Sequence, residues 1–375
     1  MKFTLGALAL ALVAPAAFAQ SSVTIYGIVD LDGQYISGAS KAVRVTSGGL
    51  AGSRIGFKGT EDLGDGIYAD FVLEGGLNVD TGSSAQGGAL FGRQAFGALR
   101  SASLGTLSAG RQYSSLYVIS GEFSAFSNTN VGPTTAALGG YAGGYEPVQG
   151  GSGTATTQTN ATGESLNGGP ARVNNSVRYT TPTFAGFKAS ALYGAGEVTG
   201  QTTKTRLFDG SVRYTNYGFD ASLGFVSDKA AGATLATSAN VNTIIAAASY
   251  AFNAFHVEGG YLKGNDKRSI ASTLQHDGRG FWLGGDYRVG QNLFKAQWVN
   301  NKVANNAAGA TDSKLNAYGL GYQYDFSKRT ALYTSATRFV NSGDGLGRYN
   351  SSISGLTTTT DKNLTEIALG VRHSF

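Results

Sequence analysis

Cysteine is absent, methionine occurs once, tryptophan twice, histidine three times and proline five times among 375 residues. Without cysteine there is no disulfide framework, no thiol nucleophile and no thiolate-held zinc or iron–sulfur centre. The three histidines leave little for a His-rich metal site, and neither a metal nor a cofactor is expected. Charge is scarce as well, at 14% of residues against about 25% in an ordinary soluble domain. The formal net charge of +5 is not gathered into blocks, so nucleic acid is not an expected partner. What is present in excess is glycine, at 56 residues, and long helices do not tolerate that much of it. Tyrosine and phenylalanine add 19 and 20 residues. The length allows one large domain or two, with ample material for a core.

Long apolar runs are also missing after the first twenty residues. Met1-Lys2-Phe3 sets one positive charge before an apolar run from Leu5 to Ala14, followed by Pro15 and the small-residue triplet Ala17-Phe18-Ala19. This is the pattern of a secretory leader cleaved after Ala19, and the run is shorter than the roughly 20 residues of a spanning helix. Residues 1–19 are therefore expected to be a signal peptide and 20–375 the mature chain. Loss of Lys2 leaves 28 basic against 24 acidic residues, a formal charge of +4. No later stretch reaches 18 uninterrupted apolar residues. The expected destination is the periplasm, the outer membrane or the exterior.

The remaining sequence alternates. Ile367, Leu369, Val371, His373 and Phe375 fall on one parity, and Glu366, Ala368, Gly370, Arg372 and Ser374 on the other. A strand sends these two sets to opposite faces. The same split occurs at Tyr318 to Phe326, at Phe187 to Tyr193 and at Ile67 to Glu74. One face is apolar and ringed by Tyr and Phe; the other is polar or glycine. Sixteen such candidate strands run from 22–36 and 50–61 to 328–341 and 362–375. Tight turns such as Asp62–Gly66 and Gly290–Asn292 alternate with long hydrophilic linkers such as 229–239 and 342–361. Short turns at one end and long loops at the other are the plan of an antiparallel transmembrane β-barrel. A soluble β-sandwich would also alternate, but its apolar face would be aliphatic and hidden. Sixteen strands make a barrel wide enough for an aqueous channel.

Five segments carry a closer likeness: Val23–Gly27, Ser53–Gly64, Phe91–Phe96, Gly110–Tyr113 and the terminal Gly370–Phe375. Together they resemble the general porins of Gram-negative bacteria, with the beta-proteobacterial branch the nearest, and the resemblance spans the whole mature chain. It implies a homotrimer of sixteen-stranded barrels, seated among outer-membrane lipid and lipopolysaccharide and passing ions and small hydrophilic solutes. It further implies that the third extracellular loop folds into the lumen, that Phe375 is an assembly signal, and that Arg54 and Arg93 form a basic cluster at the neck. The longest strandless stretch, 114–171, stands where that constriction loop belongs, and a loop of this length needs a functional reason. Its Gly121-Glu122-Phe123 is similar to the family's Pro-Glu-Phe-Gly tip, with Gly121 and Ser124 as departures.

Charge selectivity needs basic groups facing acidic ones across a neck narrow enough that the field survives screening over about 8–10 Å. By parity Arg54 and Lys58 face the lumen, and Arg93 joins them on the basic wall. Glu74 at the lower edge of that cluster and Glu122 on the loop are the expected acids. Further lumen candidates are Arg178, Lys188, Arg213, Lys295, Arg338 and Arg372, against Asp70, Asp209, Asp220, Glu258, Asp286, Asp325 and Glu366. A weak anion preference is the expectation. Arg111 breaks the rule, since it shares parity with Leu107 and Ala109 and would face lipid at a cost of roughly 2–4 kcal/mol near the midplane. Either a subunit interface shields it, with a neighbour's carboxylate as partner, or a local bulge turns it inward. Tyr26, Tyr193, Tyr214, Tyr318, Tyr333 and Phe375 read as girdle or interface aromatics. An enzyme is not expected: His256 and Glu258 share a strand, but no nucleophile elbow or oxyanion motif accompanies them. The alternatives are a substrate-specific porin, and a loop-occluded barrel serving as an adhesin or structural protein.

Overall fold

The two-residue period becomes sheet along most of the described residues. The computed structural model describes residues 22–38, 41–129, 131–133, 171–195, 206–230, 239–266, 276–303, 312–342 and 363–375. The expected leader and the Gly/Thr/Gln-rich part of the long loop, 139–169, lie outside them. The first strands are β1 (Ser22–Ser37), β2 (Ala42–Ser47), β3 (Arg54–Gly64), β4 (Ile67–Asn78), β5 (Ser83–Ser84), β6 (Gln94–Ser101) and β7 (Gly105–Tyr113). After the helix α1 (Ser115–Glu122) come β8 (Arg172–Thr180), β9 (Phe187–Gly194), β10 (Leu207–Asn216), β11 (Phe219–Ala230), β12 (Ala239–Phe252) and β13 (Phe255–Asp266). The series ends with β14 (His276–Val289), β15 (Asn292–Val303), β16 (Ser313–Asp325), β17 (Thr330–Ser342) and β18 (Leu364–Ser374).

Neighbours are antiparallel, and β1 closes the sheet on β18, with Ile28 opposite Ser374 and Ser37 opposite Thr365. β1 meets β2 along Leu31–Ile36 and β3 along Ser22–Ile28, so β2 and β3 are two halves of one stave. β5 pairs only with β4. Setting these two aside, the 18 strands make a closed barrel of sixteen staves, the expected number. Closure pairs the first stave with the last, as a sheet in lipid requires.

The expected strand 50–61 is thus displaced at its start, and the reason lies in β1. Asp30 is buried, and its Oδ2 accepts from Leu50 N at 3.0 Å and Ala51 N at 2.8 Å. Tyr333 donates its hydroxyl to Asp30 Oδ1 at 2.5 Å. These bonds draw the chain between β2 and β3 out of the ladder. At Gly49 a side chain is excluded, because a Cβ there would collide with the Tyr333 hydroxyl.

Alternation sorts side chains as expected on most staves. Val23, Ile25, Leu107, Val177, Phe208, Tyr261, Leu320 and Leu369 are exposed on the outside, while Asp30, Glu74, Asp209, Glu258 and Glu366 are buried inside. Large exposed apolar side chains on every stave fit a lipid solvent. One expectation about the inner face fails. Ile36, Leu192, Leu207, Val226, Ile245, Leu262, Trp282, Val299 and Phe339 also point inward and join Leu116, Ile119 and Phe123 in one buried cluster. This inner apolar ring lies toward the long-linker ends of the staves and receives α1. It misleads parity on β17, where Tyr333 and Phe339 are buried inside and Arg338 is exposed outside with Leu332 and Ala336. Arg338 is therefore not a lumen residue, and Tyr333 is not a girdle residue. Tyr26 is likewise inside, bonded to Glu74.

Candidate functional site

The stretch 114–171 begins as a helix. Ser114 caps it, its Oγ accepting from Tyr117 N at 3.3 Å, as N-cap serines do. Asp209 on β10 adds a second cap, accepting from Ser115 N at 2.6 Å, with its negative charge at the positive end of the helix. Gly224 on β11 makes room for the approach, since a Cβ there would lie 2.8 Å from Ile119 Cδ1. At the other end Trp282 donates Nε1–H to Phe123 O at 2.5 Å.

Beyond α1 one amide makes three of the bonds that hold the chain. Gln297 Oε1 accepts from Ala125 N at 2.8 Å and from Ser124 Oγ at 3.1 Å, and its Nε2 donates to Pro133 O at 2.5 Å. Gly132 N then donates to Glu366 Oε1 at 3.2 Å. The segment thus leaves the wall at β7, runs along the inner face of β10–β12 and reaches the inner faces of β15 and β18. It crosses the lumen. Gly121-Glu122-Phe123 forms the last turn and C-cap of α1 rather than a free tip, and Phe123 is buried.

The basic wall forms around a carboxylate. Arg93, just before β6, places Nε 2.7 Å from Glu74 Oε1, and Arg54 places Nη1 3.8 Å from Glu74 Oε2. Tyr26 and Tyr113 donate their hydroxyls to the same carboxylate at 3.0 and 3.1 Å. Glu74 is therefore not on an opposing acidic side. It stands across from Gly56 and Gln94 in the ladders of β4, on the same patch of wall as the arginines. The Arg54 side chain keeps 22% of its exposure and the Arg93 side chain 6%, so the two differ in what they offer to lumen water. Lys58 is exposed lower on β3, its ammonium 5.3 Å from the Tyr26 ring centroid.

Sequence reasoning missed the aromatic continuation of this wall. Tyr113 stacks on Tyr117 of α1 with centroids 4.6 Å apart, and the Arg172 guanidinium lies 5.2 and 5.3 Å from the two rings. The ladder from β7 to β8 shifts register between Gly110 and Gln112, so Tyr113 cannot be phased from the residues before it.

Glu122, the expected acid on the loop, pairs with β10. Its Oε2 lies 2.5 Å from Arg213 Nη1, and Asp220 holds the same guanidinium, Oδ1 accepting from Nε at 2.8 Å. Glu122 remains 48% exposed, so it faces lumen water while engaged to β10. Further round, His256 Nδ1 lies 3.3 Å from Asp286 Oδ2 and 3.6 Å from Glu258 Oε2. One imidazole and two carboxylates could hold a cation, but Lys295 stands directly opposite Asp286 in the ladder and competes for that charge.

A register shift between Gly110 and Gln112 marks a bulge beside Arg111. Its Nε donates to Gly92 O at 2.8 Å and its Nη1 to Asn174 Oδ1. Gly92 and Asn174 of its own chain thus bond the guanidinium. Phe375 N and O exchange hydrogen bonds of 3.1 Å with Gly27 O and N, and its ring lies over Gly27, where a Cβ would collide with Cζ.

A family model described as Gram-negative porin matches residues 6–344. The chain is 32% identical over 386 residues to outer membrane porin protein 32 of Delftia acidovorans, with all of both chains covered. It is 29% identical over 433 residues to an outer membrane porin protein of Bordetella pertussis, again over the whole of both. Among solved structures it is similar to the anion-selective porin from Comamonas acidovorans, with 28% identity, a TM-score of 0.75, and coverage of 95% of this chain and 100% of that one.

Proposed function

Because the chain belongs to the Gram-negative porin family, we propose that it forms a water-filled channel in the outer membrane through which ions and small hydrophilic solutes diffuse, with a modest preference for anions. The observation that carries this reading is the lumen crossing: a closed barrel whose interior holds half-buried Arg54 and exposed Lys58 on one wall, with the segment from α1 to Pro133 spanning the space beside them. On this reading 114–171 is the constriction loop. Arg54 and Lys58 carry the selectivity, while Arg93 positions Glu74. Asp220 and Arg213 hold Glu122 at the far side. The anion selectivity for which the Comamonas porin is named supports the sign.

The outer face supports a homotrimer. Val23, Ile25, Val43, Val45, Leu99, Leu107, Ile367, Leu369 and Val371 make the outside of β1, β2, β6, β7 and β18 largely aliphatic. Aromatics dominate from β9 to β16, including Tyr193, Phe208, Phe225, Tyr250, Phe281 and Tyr318. Girdles mark lipid contact, so the aliphatic half is the side for packing against sister barrels.

Single-channel recording of the refolded protein across a salt gradient tests the proposal. Ohmic openings grouped in threes, with a zero-current potential of anionic sign, are expected. Arg54→Ala with Lys58→Ala should move that potential toward zero or past it. A β-rich, correctly folded preparation with no openings would favour a loop-occluded barrel, and strong competition by one solute class would favour a substrate-specific pore.

A further inference from the structure

Three side chains of metal-ligand type meet on the inner face, near the short-turn end of the lumen. His256 stands opposite Asp286 in the ladder of β13 and β14, and Glu258 follows on the same face of β13. His256 Nδ1 lies 3.3 Å from Asp286 Oδ2 and 3.6 Å from Glu258 Oε2, and one ligand atom from each residue lies within 4.8 Å of the others. Donors bound about 2.0–2.1 Å from a tetrahedral ion stand roughly 3.3–3.4 Å apart. The imidazole is thus close to ligand spacing from both carboxylates.

Glu258 lacks a hydrogen-bond donor. Its side chain is only 3% exposed, Oε1 is buried and accepts no hydrogen bond among the described residues, and Oε2 is turned toward His256 at a distance too long for one. A buried carboxylate in that position keeps its desolvation cost uncompensated. Its neighbours do not supply the donor. Gly284 stands opposite and brings no side chain. Gln297, next in the same row, lies over Gly284, where a Cβ would be 2.8 Å from its Oε1, but its amide is engaged with Ser124, Ala125 and Pro133. Lys295, opposite Asp286, turns its ammonium toward the crossing segment, 5.9 Å from the Phe126 ring centroid, and forms no ion pair with either carboxylate.

We propose that His256, Glu258 and Asp286 form a lumen site for one divalent cation, zinc or a neighbouring transition metal, with a further position open to water. The ligand set selects the metal: an imidazole beside two carboxylates suits zinc and its neighbours, whereas magnesium and calcium are held by oxygen alone. The His256 and Asp286 side chains keep 32% and 24% of their exposure, so an ion reaches them from lumen water, and buried Glu258 closes the back of the site. Lys295 opposes binding through its charge and lowers the affinity without filling the site. The inference needs the closed barrel and is independent of whether the lumen conducts.

Equilibrium dialysis of the refolded barrel, free of any histidine tag, against zinc chloride tests this, with the metal counted by mass spectrometry and no current required. One zinc per chain should be retained, in clear preference to magnesium at equal concentration. H256A and E258Q should each weaken zinc binding roughly a hundredfold or more, since loss of even an outer partner of a ligand costs about 10–100-fold. D286N gives the same reading if H256A does not fold. H276Q/H373Q, which removes the other two histidines, should bind as wild type does, and K295Q, which removes a nearby positive charge, should bind several-fold tighter. A barrel that retains no zinc would leave His256 as an ion-pair partner of the two carboxylates and overturn the proposal. Unchanged zinc binding by folded H256A or D286N, loss of zinc in H276Q/H373Q, or equal retention of magnesium would overturn it as well.

Discussion

At the scale of single residues, the basic wall depends on one buried carboxylate. Glu74 compensates two guanidiniums and accepts from two tyrosines, and Arg93 has almost no water of its own. Removing one partner of a buried ion pair costs about 3–5 kcal/mol, because the charge left behind is uncompensated. Glu74→Ala is therefore expected to lower the urea midpoint of unfolding substantially, whereas Glu74→Gln, which keeps an acceptor for the tyrosines, should lower it less. Both changes also free a positive charge in the lumen and should drive the zero-current potential further in the anionic direction. A Glu74→Ala barrel with unaltered stability and selectivity would mean that the cluster is spectator charge. Arg54 is different: its partner is 3.8 Å away, and a partly solvated pair at that distance contributes little to stability. Its substitution should appear in selectivity and hardly in unfolding.

At the scale of elements, the constriction depends on how few groups hold the crossing segment. Gln297 alone satisfies Ala125 N, Ser124 Oγ and Pro133 O. Gln297→Leu keeps the volume and strands those groups, each at about 1–3 kcal/mol if left unpaired. The barrel should still fold, while single-channel traces become noisier and their mean conductance shifts. Quiet traces of wild-type amplitude would mean that the Trp282 and Asp209 anchors suffice. The staves themselves are legible in the sequence because lipid outside and water inside impose opposite side-chain chemistry at a strict period of two. That logic fails where the inside is not wet. On β17 the lumen side carries Tyr333 and Phe339, so neither parity looks polar and the pattern puts Arg338 on the wrong face. It fails again at Tyr113, where a bulge resets the phase, and at Glu74, since parity gives a face but neither a height nor a partner. The helix α1 is hidden because Ser115, Ser120 and Glu122 are mixed among its apolar residues, without the one-sided pattern that marks a surface helix.

At the scale of the whole molecule, the barrel is secure only when its first and last strands meet, and that seam ends on Phe375. Along the seam β1 and β18 are in register from Ile28–Ser374 upward. Below it, Gly27 and Phe375 exchange two backbone bonds, and the terminal ring covers the bare glycine. A closed sheet gains from its last ladder what an open one forfeits along two whole edges exposed to hydrocarbon, where unsatisfied peptide groups cost several kcal/mol each. Deletion of Phe375 removes both bonds and the ring, so the fraction reaching the folded, heat-modifiable form in lipid vesicles should fall and the remainder should unfold at lower temperature. Phe375→Ala separates the two contributions, because it keeps both backbone bonds possible and removes the ring, whereas a methyl at Gly27 would also lie 2.7 Å from the backbone oxygen of Arg54. If the ring is what fastens the seam, Phe375→Ala should reproduce most of the deletion's defect. If it folds like wild type while the deletion does not, the backbone exchange closes the barrel and the aromatic side chain serves some other step.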